Sequence, residues 1–229
     1  MRPMKTWSAV ALAIAIACLA HPALADAVLP AGAQHILDQR FPGWAVETRA
    51  FGALHAPGVR DLALVLFRAG DPQTRAVAVL LDDGRGGWRF SKSSSAIDVG
   101  ARGEALAAEI RERALVVRFT EPGESVVRIT GYRFAYRDEG RALRLVGLEI
   151  ERVALSEAAH AWRSRTSVDL LTGAKRETMD DRVRGRARHR EADSRVAARQ
   201  PILFEQFAFD LRGLGPEAAV RFEPGSPER

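Results

Sequence analysis

Asp61-Leu62-Ala63-Leu64-Val65-Leu66-Phe67 is the stretch on which the reading of this fold turns. It is a short, continuous apolar run, which suits a β-strand buried on both faces. Downstream, Ala76 to Leu81 and Trp88 to Ser91 are joined by Asp82-Asp83-Gly84-Arg85-Gly86-Gly87, whose Gly and Asp residues supply the positive φ that a hairpin turn needs. Upstream, Ala31 to Arg40 reads as a short helix stopped by Phe41-Pro42-Gly43-Trp44. Further on, Tyr132, Phe134 and Tyr136 alternate with Arg133, Ala135 and Arg137, the pattern of a half-buried strand, and Asp138-Glu139-Gly140 turns the chain into 143–150. Residues 103–112 read as helical by propensity, 154–164 as a polar loop, and Thr166 to Thr172 and Ile202 to Phe209 as strands. Strands joined by tight turns, without βαβ alternation, predict a mainly β fold of antiparallel sheets, a sandwich or a propeller-like meander, with one short N-terminal helix.

The N-terminus carries Arg2 and Lys5, then an apolar core from Trp7 to Ala20, then Ala23-Leu24-Ala25. This is the layout of a cleavable secretory signal, with cleavage between Ala25 and Asp26. Removing residues 1–25 leaves 204, and 26–212 is read as a single mainly β domain followed by a tail over 213–229. Ala15-Ile16-Ala17-Cys18 loosely matches a lipidation box but lacks its usual leucine. Cys18 is the only cysteine, so cleavage at Ala25 leaves a chain without disulfides, thiolate metal sites or a cysteine nucleophile. No later apolar run reaches transmembrane length, and the expected location is the bacterial periplasm or the exterior. The formal charge of +5 falls to +3 once Arg2 and Lys5 leave, too little to argue for nucleic acid. Only Lys5, Lys92 and Lys175 among the 34 basic residues are lysine, and there is no asparagine. That bias reads as a GC-rich genome and lowers the weight of any arginine cluster.

Four stretches in order, covering residues 33–210, resemble a family of uncharacterised exported bacterial proteins with a VCBS/FG-GAP-like loop. They are Phe41-Pro42-Gly43-Trp44, the loop before Asp61, the paired strands around Tyr132 to Ile150, and Ser167-Val168-Asp169-Leu170-Leu171-Thr172-Gly173. The resemblance implies no known activity, and it implies strand rather than helix over 109–119. Relatives show Gly-Asp-Leu-Asn-Gly-Asp-Gly-x-x-Asp, which offers alternate oxygens to a hard cation such as calcium. Here the ligand positions hold Ala53, His55, Pro57 and Asp61, so one carboxylate remains of three. Calcium takes 6–8 oxygens, and no calcium is expected at this loop. His35, His55, His160 and His189 are scattered singly, so no transition-metal site and no cofactor is expected either. Asp169 stands where the family has asparagine, and two roles are open for it: satisfying local backbone donors, or contacting a ligand.

Arg182, Arg184, Arg186, Arg188 and Arg190 fall at period 2 within 182–199, a stretch of local charge +5. On one strand they would form a basic stripe suited to lipopolysaccharide, a polyanion or an acidic partner; as a solvated connector they would do nothing specific. Ser91, Ser93, Ser94 and Ser95 with Lys92 lack the Gly-x-Ser-x-Gly turn of a nucleophile. Asp82-Asp83 and Asp180-Asp181 are adjacent, so on strands they point to opposite faces and make no acid/base pair. Trp44, Trp88 and Trp162 are too dispersed for a stacking platform. No catalytic residue is singled out. The expectation is a non-catalytic binding module acting on an envelope component or a protein. The alternatives are a hydrolase whose site assembles His55, Asp61 and the serine cluster, and a polyanion binder using the 182–199 arginines.

Overall fold

The computed structural model describes residues 29–100, 104–137, 142–154, 162–183, 186–198 and 202–207. Residues 1–25, read as a secretory signal, with the expected Ala25–Asp26 junction, Cys18, His160 and residues 213–229, read as a tail, lie outside the described residues. The protein is mainly β: among the described residues one short α-helix, α1 (Ala31–Arg40), precedes two antiparallel sheets. The first sheet holds β1 (Trp44–Gly52), β2 (Asp61–Arg68), β3 (Asp71–Asp82) and β4 (Trp88–Ser93) in that order, with the short β5 (Ile97–Asp98) also paired to β3. The second is a seven-stranded meander of β6 (Ala105–Arg111), β7 (Ala114–Pro122), β8 (Val126–Arg137), β9 (Ala142–Ala154), β10 (Trp162–Asp169), β11 (Ala174–Val183) and β12 (Arg186–Arg195). No helix among the described residues is long and apolar enough to cross a membrane.

The layering explains the apolar run of β2. Side chains alternate across a strand, and here both faces are covered. Leu62, Leu64 and Leu66 pack with Ala78 and Leu80 of β3 against Ala33 and Leu37 of α1. Ala63 and Val65 point the other way, into a core shared with Leu115, Val117, Phe119, Tyr132, Phe134 and Leu148 of the second sheet. Each leucine so buried contributes about 1.5–3 kcal/mol of transfer free energy, which is what ties helix, first sheet and second sheet together. At one corner the sheets approach until only glycine fits: a Cβ on Gly52 of β1 would lie 2.7 Å from Ile110 Cγ2 of β6.

Four local expectations are corrected. Residues 105–111 form a strand, not a helix. Their partner β7 carries Leu115, Val116, Val117 and Phe119, and the cross-strand pairing Leu106↔Phe119 through Ile110↔Leu115 outweighs the helical propensity of Ala and Glu. The hairpin turns at Glu112 and Arg113, both at positive φ (49° and 59°), without the Asn or Gly such a turn favours. Trp162 to Ser164, read as loop, begin β10. That strand stops at Asp169 rather than Thr172, because the Asp169 carboxylate takes the next amides. Ile202–Phe207 is not a strand: Leu203 makes one bridge to Arg144 and Phe204–Gln206 is a single 3₁₀ turn. Phe204 is wholly buried with its ring 4.9 Å from that of Phe134, so side-chain insertion between the sheets, not strand pairing, fixes this segment.

Candidate functional site

The loop between β1 and β2 is organised by one carboxylate. Asp61, at the first position of β2, has no exposed surface. Its Oδ2 accepts the backbone N–H of Leu54 (2.8 Å) and His55 (2.9 Å), and Oδ1 accepts that of Asp82 (3.1 Å). His55 Nδ1 lies 2.7 Å from Oδ1; a carboxylate only accepts, so the ring proton sits on Nδ1 and Nε2 is left as the base nitrogen. His55 keeps about a fifth of its side-chain surface exposed. Both Asp61 oxygens are thus committed to N–H donors, the opposite of what cation ligation asks of them. Among the described residues no three His, Cys, Asp or Glu side chains are placed to hold a metal ion.

Two hydroxyls of the serine cluster, those of Ser91 and Ser94, are held by the framework. Ser94 Oγ accepts the Val77 amide (2.9 Å) and donates to the Ser95 carbonyl (2.7 Å), while Ser91 Oγ shares a hydrogen bond of 2.5 Å with Tyr136 Oη. Burial, the largest effect on Tyr136, pushes its phenol above the usual tyrosine range. The acidic pairs serve turns and strands: Asp82 and Asp83 accept amides within their own hairpin loop, and Asp180 and Asp181 bond His189 and Arg190 across β11 and β12. Asp169 Oδ1 accepts the amides of Leu171 and Thr172 at 2.9 Å each while Leu170 enters the core, so its carboxylate closes the turn that ends β10.

The arginine run does not lie on one strand. Arg182 belongs to β11 and is in register with Ala187; Arg186, Arg188 and Arg190 belong to β12, and Arg184 lies outside the described residues. Arg188 and Arg190 are exposed, the latter 2.7 Å from Asp181. His35 sits on the exposed face of α1 beside Gln39.

The feature that the sequence did not mark is a polar, half-open cleft of about 420 Å³. Its walls come from the Glu112–Arg113 turn, the end of β8 (Arg133 to Arg137), the middle of β9 around Gly147, and Ser167 and Asp169 of β10. Gly147 forms part of the lining, in register with both Arg133 and Asp169. Arg133 and Arg137 were visible only as the polar half of an alternating strand; nothing in Arg111-Glu112-Arg113 announced a turn. No family model, no curated protein and no solved structure matches the chain.

Proposed function

We propose that this chain is an exported binding module without chemistry of its own, acting in the periplasm or outside the cell on a ligand or an envelope partner. The observation that carries the reading is the use made of its polar side chains. Asp61, Ser94, Asp83 and Asp169, which in other settings serve as acids, bases or nucleophiles, accept backbone amides, and Ser91 is held by Tyr136. Catalytic constellations need a nucleophile, a base and an orienting group converging on open space, and these groups converge on the backbone instead. The export part rests on the Arg2-to-Ala25 segment and is checked by sequencing the N-terminus of the protein recovered from the periplasm, which should begin at Asp26.

One observation favours a second reading, a hydrolase. A buried aspartate that fixes a histidine tautomer is how general-base histidines are oriented, and His55 with Asp61 has that form. The two readings separate in one experiment. Protein purified from the periplasm is assayed against ester, phosphoester and glycoside substrates beside a folded His55→Ala variant. The binding reading expects no turnover that depends on His55; turnover abolished by that substitution rejects it. A polyanion-binding role for the 182–199 segment expects salt-sensitive binding that disappears when Arg184, Arg186 and Arg188 are reversed in charge; unchanged binding ends that alternative.

A further inference from the structure

The outer face of the second sheet is a lattice of cross-strand ion pairs. Arg118 lies 2.9 Å from Glu109, Arg165 3.0 Å from Glu149, Arg163 2.6 Å from Glu151, and Arg176 3.1 Å from both Glu191 and Asp193. At the cleft the pattern breaks. Arg133 comes only within 3.5 Å of Glu112, whose side chain is 75 % exposed, a separation and setting in which water screens most of the attraction. Arg113 reaches the His55 carbonyl at 3.4 Å, and the Arg137 side chain has neither a hydrogen bond nor an ion pair among the described residues. The acids of the same cleft are engaged: Glu149 holds Arg165, and Asp169 Oδ1 holds two amides. Among the described residues the cleft therefore carries more weakly engaged guanidinium donors than free acceptors.

The turn at its rim points the same way. Glu112 and Arg113 both occupy the left-handed region, which costs L-residues about 1 kcal/mol each and which Asn-Gly adopts far more cheaply. Keeping an arginine there sacrifices stability to hold a guanidinium at the mouth of the cleft, the kind of strain that concentrates at binding sites.

We propose that this cleft binds a small organic anion, with the guanidinium groups of Arg113, Arg133 and Arg137 clamping a carboxylate or phosphate group. The planar fork of arginine matches both groups in bidentate fashion. A volume of about 420 Å³ holds a ligand of monosaccharide size. Ser167 and the second oxygen of Asp169 suit a hydroxylated body. This inference rests on the binding-module reading and names the ligand class of that module.

The test uses the protein purified from the periplasm and three sugars of one shape: glucose 6-phosphate, glucuronate and neutral glucose, titrated by calorimetry at low salt. At least one anionic sugar is expected to bind and glucose not to, with the tighter of the two identifying phosphate or carboxylate as the natural group. Arg133→Ala and Arg137→Ala are each expected to weaken binding roughly tenfold, and Arg118→Ala, on the paired part of the face, to leave it unchanged. A double replacement Glu112→Asn with Arg113→Gly is expected to raise thermal stability while weakening binding, which a merely structural turn would not do. Failure of both anions to bind better than glucose overturns the proposal, as does binding that survives the cleft substitutions; in the latter case a binding module remains, with its site elsewhere. Turnover of a probe that depends on His55 would instead reject the module reading itself.

Discussion

His55 Nδ1 lies 2.7 Å from the buried carboxylate of Asp61, and the backbone N–H of His55 donates to that same carboxylate at 2.9 Å. One residue thus meets Asp61 twice, through ring and backbone, and the Asp82 amide at 3.1 Å brings in the far end of β3. The knot fastens the β1–β2 loop to the β3–β4 hairpin.

Replacing Asp61 by asparagine should therefore be severe. The amide group would turn an N–H toward donors that expect an acceptor, leaving buried groups unpaired at a cost of about 3 kcal/mol. Urea unfolding should show that loss, and His55→Ala, which keeps the backbone donors satisfied, should cost visibly less. Equal stability of wild type and Asp61→Asn would show that the knot does not organise the loop.

Gly52→Ala should cost about 1–3 kcal/mol through overpacking, because the new Cβ meets Ile110 Cγ2 at 2.7 Å and the Ile110 carbonyl at 3.0 Å. Ile110→Ala, which removes Cγ2, should recover part of the loss in a double-mutant cycle measured by denaturant melts. Additive effects would mean that β1 and β6 do not meet as described.

Phe204→Ala should destabilise by about 3–5 kcal/mol, far more than its place in a short 3₁₀ turn suggests. Its ring is fully buried against Phe134 between the two sheets. Calorimetry of the variant, with amide exchange at Leu145, whose N–H donates to Ile202 O at 2.9 Å, would report both the loss and its location.

His189 should titrate above the usual histidine value, chiefly because of its hydrogen bond to Asp180 at 2.7 Å and then because of that carboxylate's charge. A raised folded value means that the protonated form is favoured in the folded state. The stabilisation is fully present below the unfolded histidine value and is lost as pH rises through the higher folded one. An NMR titration of the His189 ring checks the direction, and Asp180→Asn should return it toward normal.

The legible parts of this fold were those where neighbouring residues fix the outcome. Pro42-Gly43 after Ala31 to Arg40 ends α1, Asp82 to Gly87 contains the positive-φ glycines of its hairpin, and the apolar run of β2 requires cover on both faces. The illegible parts depend on partners distant in the chain. Ala105 to Arg111 carry helix-forming residues yet pair with the apolar β7, and Phe204 is placed by a ring seventy residues earlier in the sequence. The arginine run left a single strand and a solvated connector both open, and the pairing of β11 with β12 divides it between two strands.

For the candidate site the division is the same. The sequence by itself determined a mainly antiparallel β chain with a short helix over 31–40, because these follow from local pattern, and the family resemblance placed His55 and Asp61 in one loop. Only the tertiary structure decided that Asp61 would serve backbone amides, and that Arg113, Arg133 and Arg137, from a turn and a strand end, would face one cleft with only the long Arg133–Glu112 contact between them and a carboxylate among the described residues. Local sequence fixes which backbone states are accessible, but charge pairing across a seven-stranded sheet is set by register, and register is a property of the assembled fold.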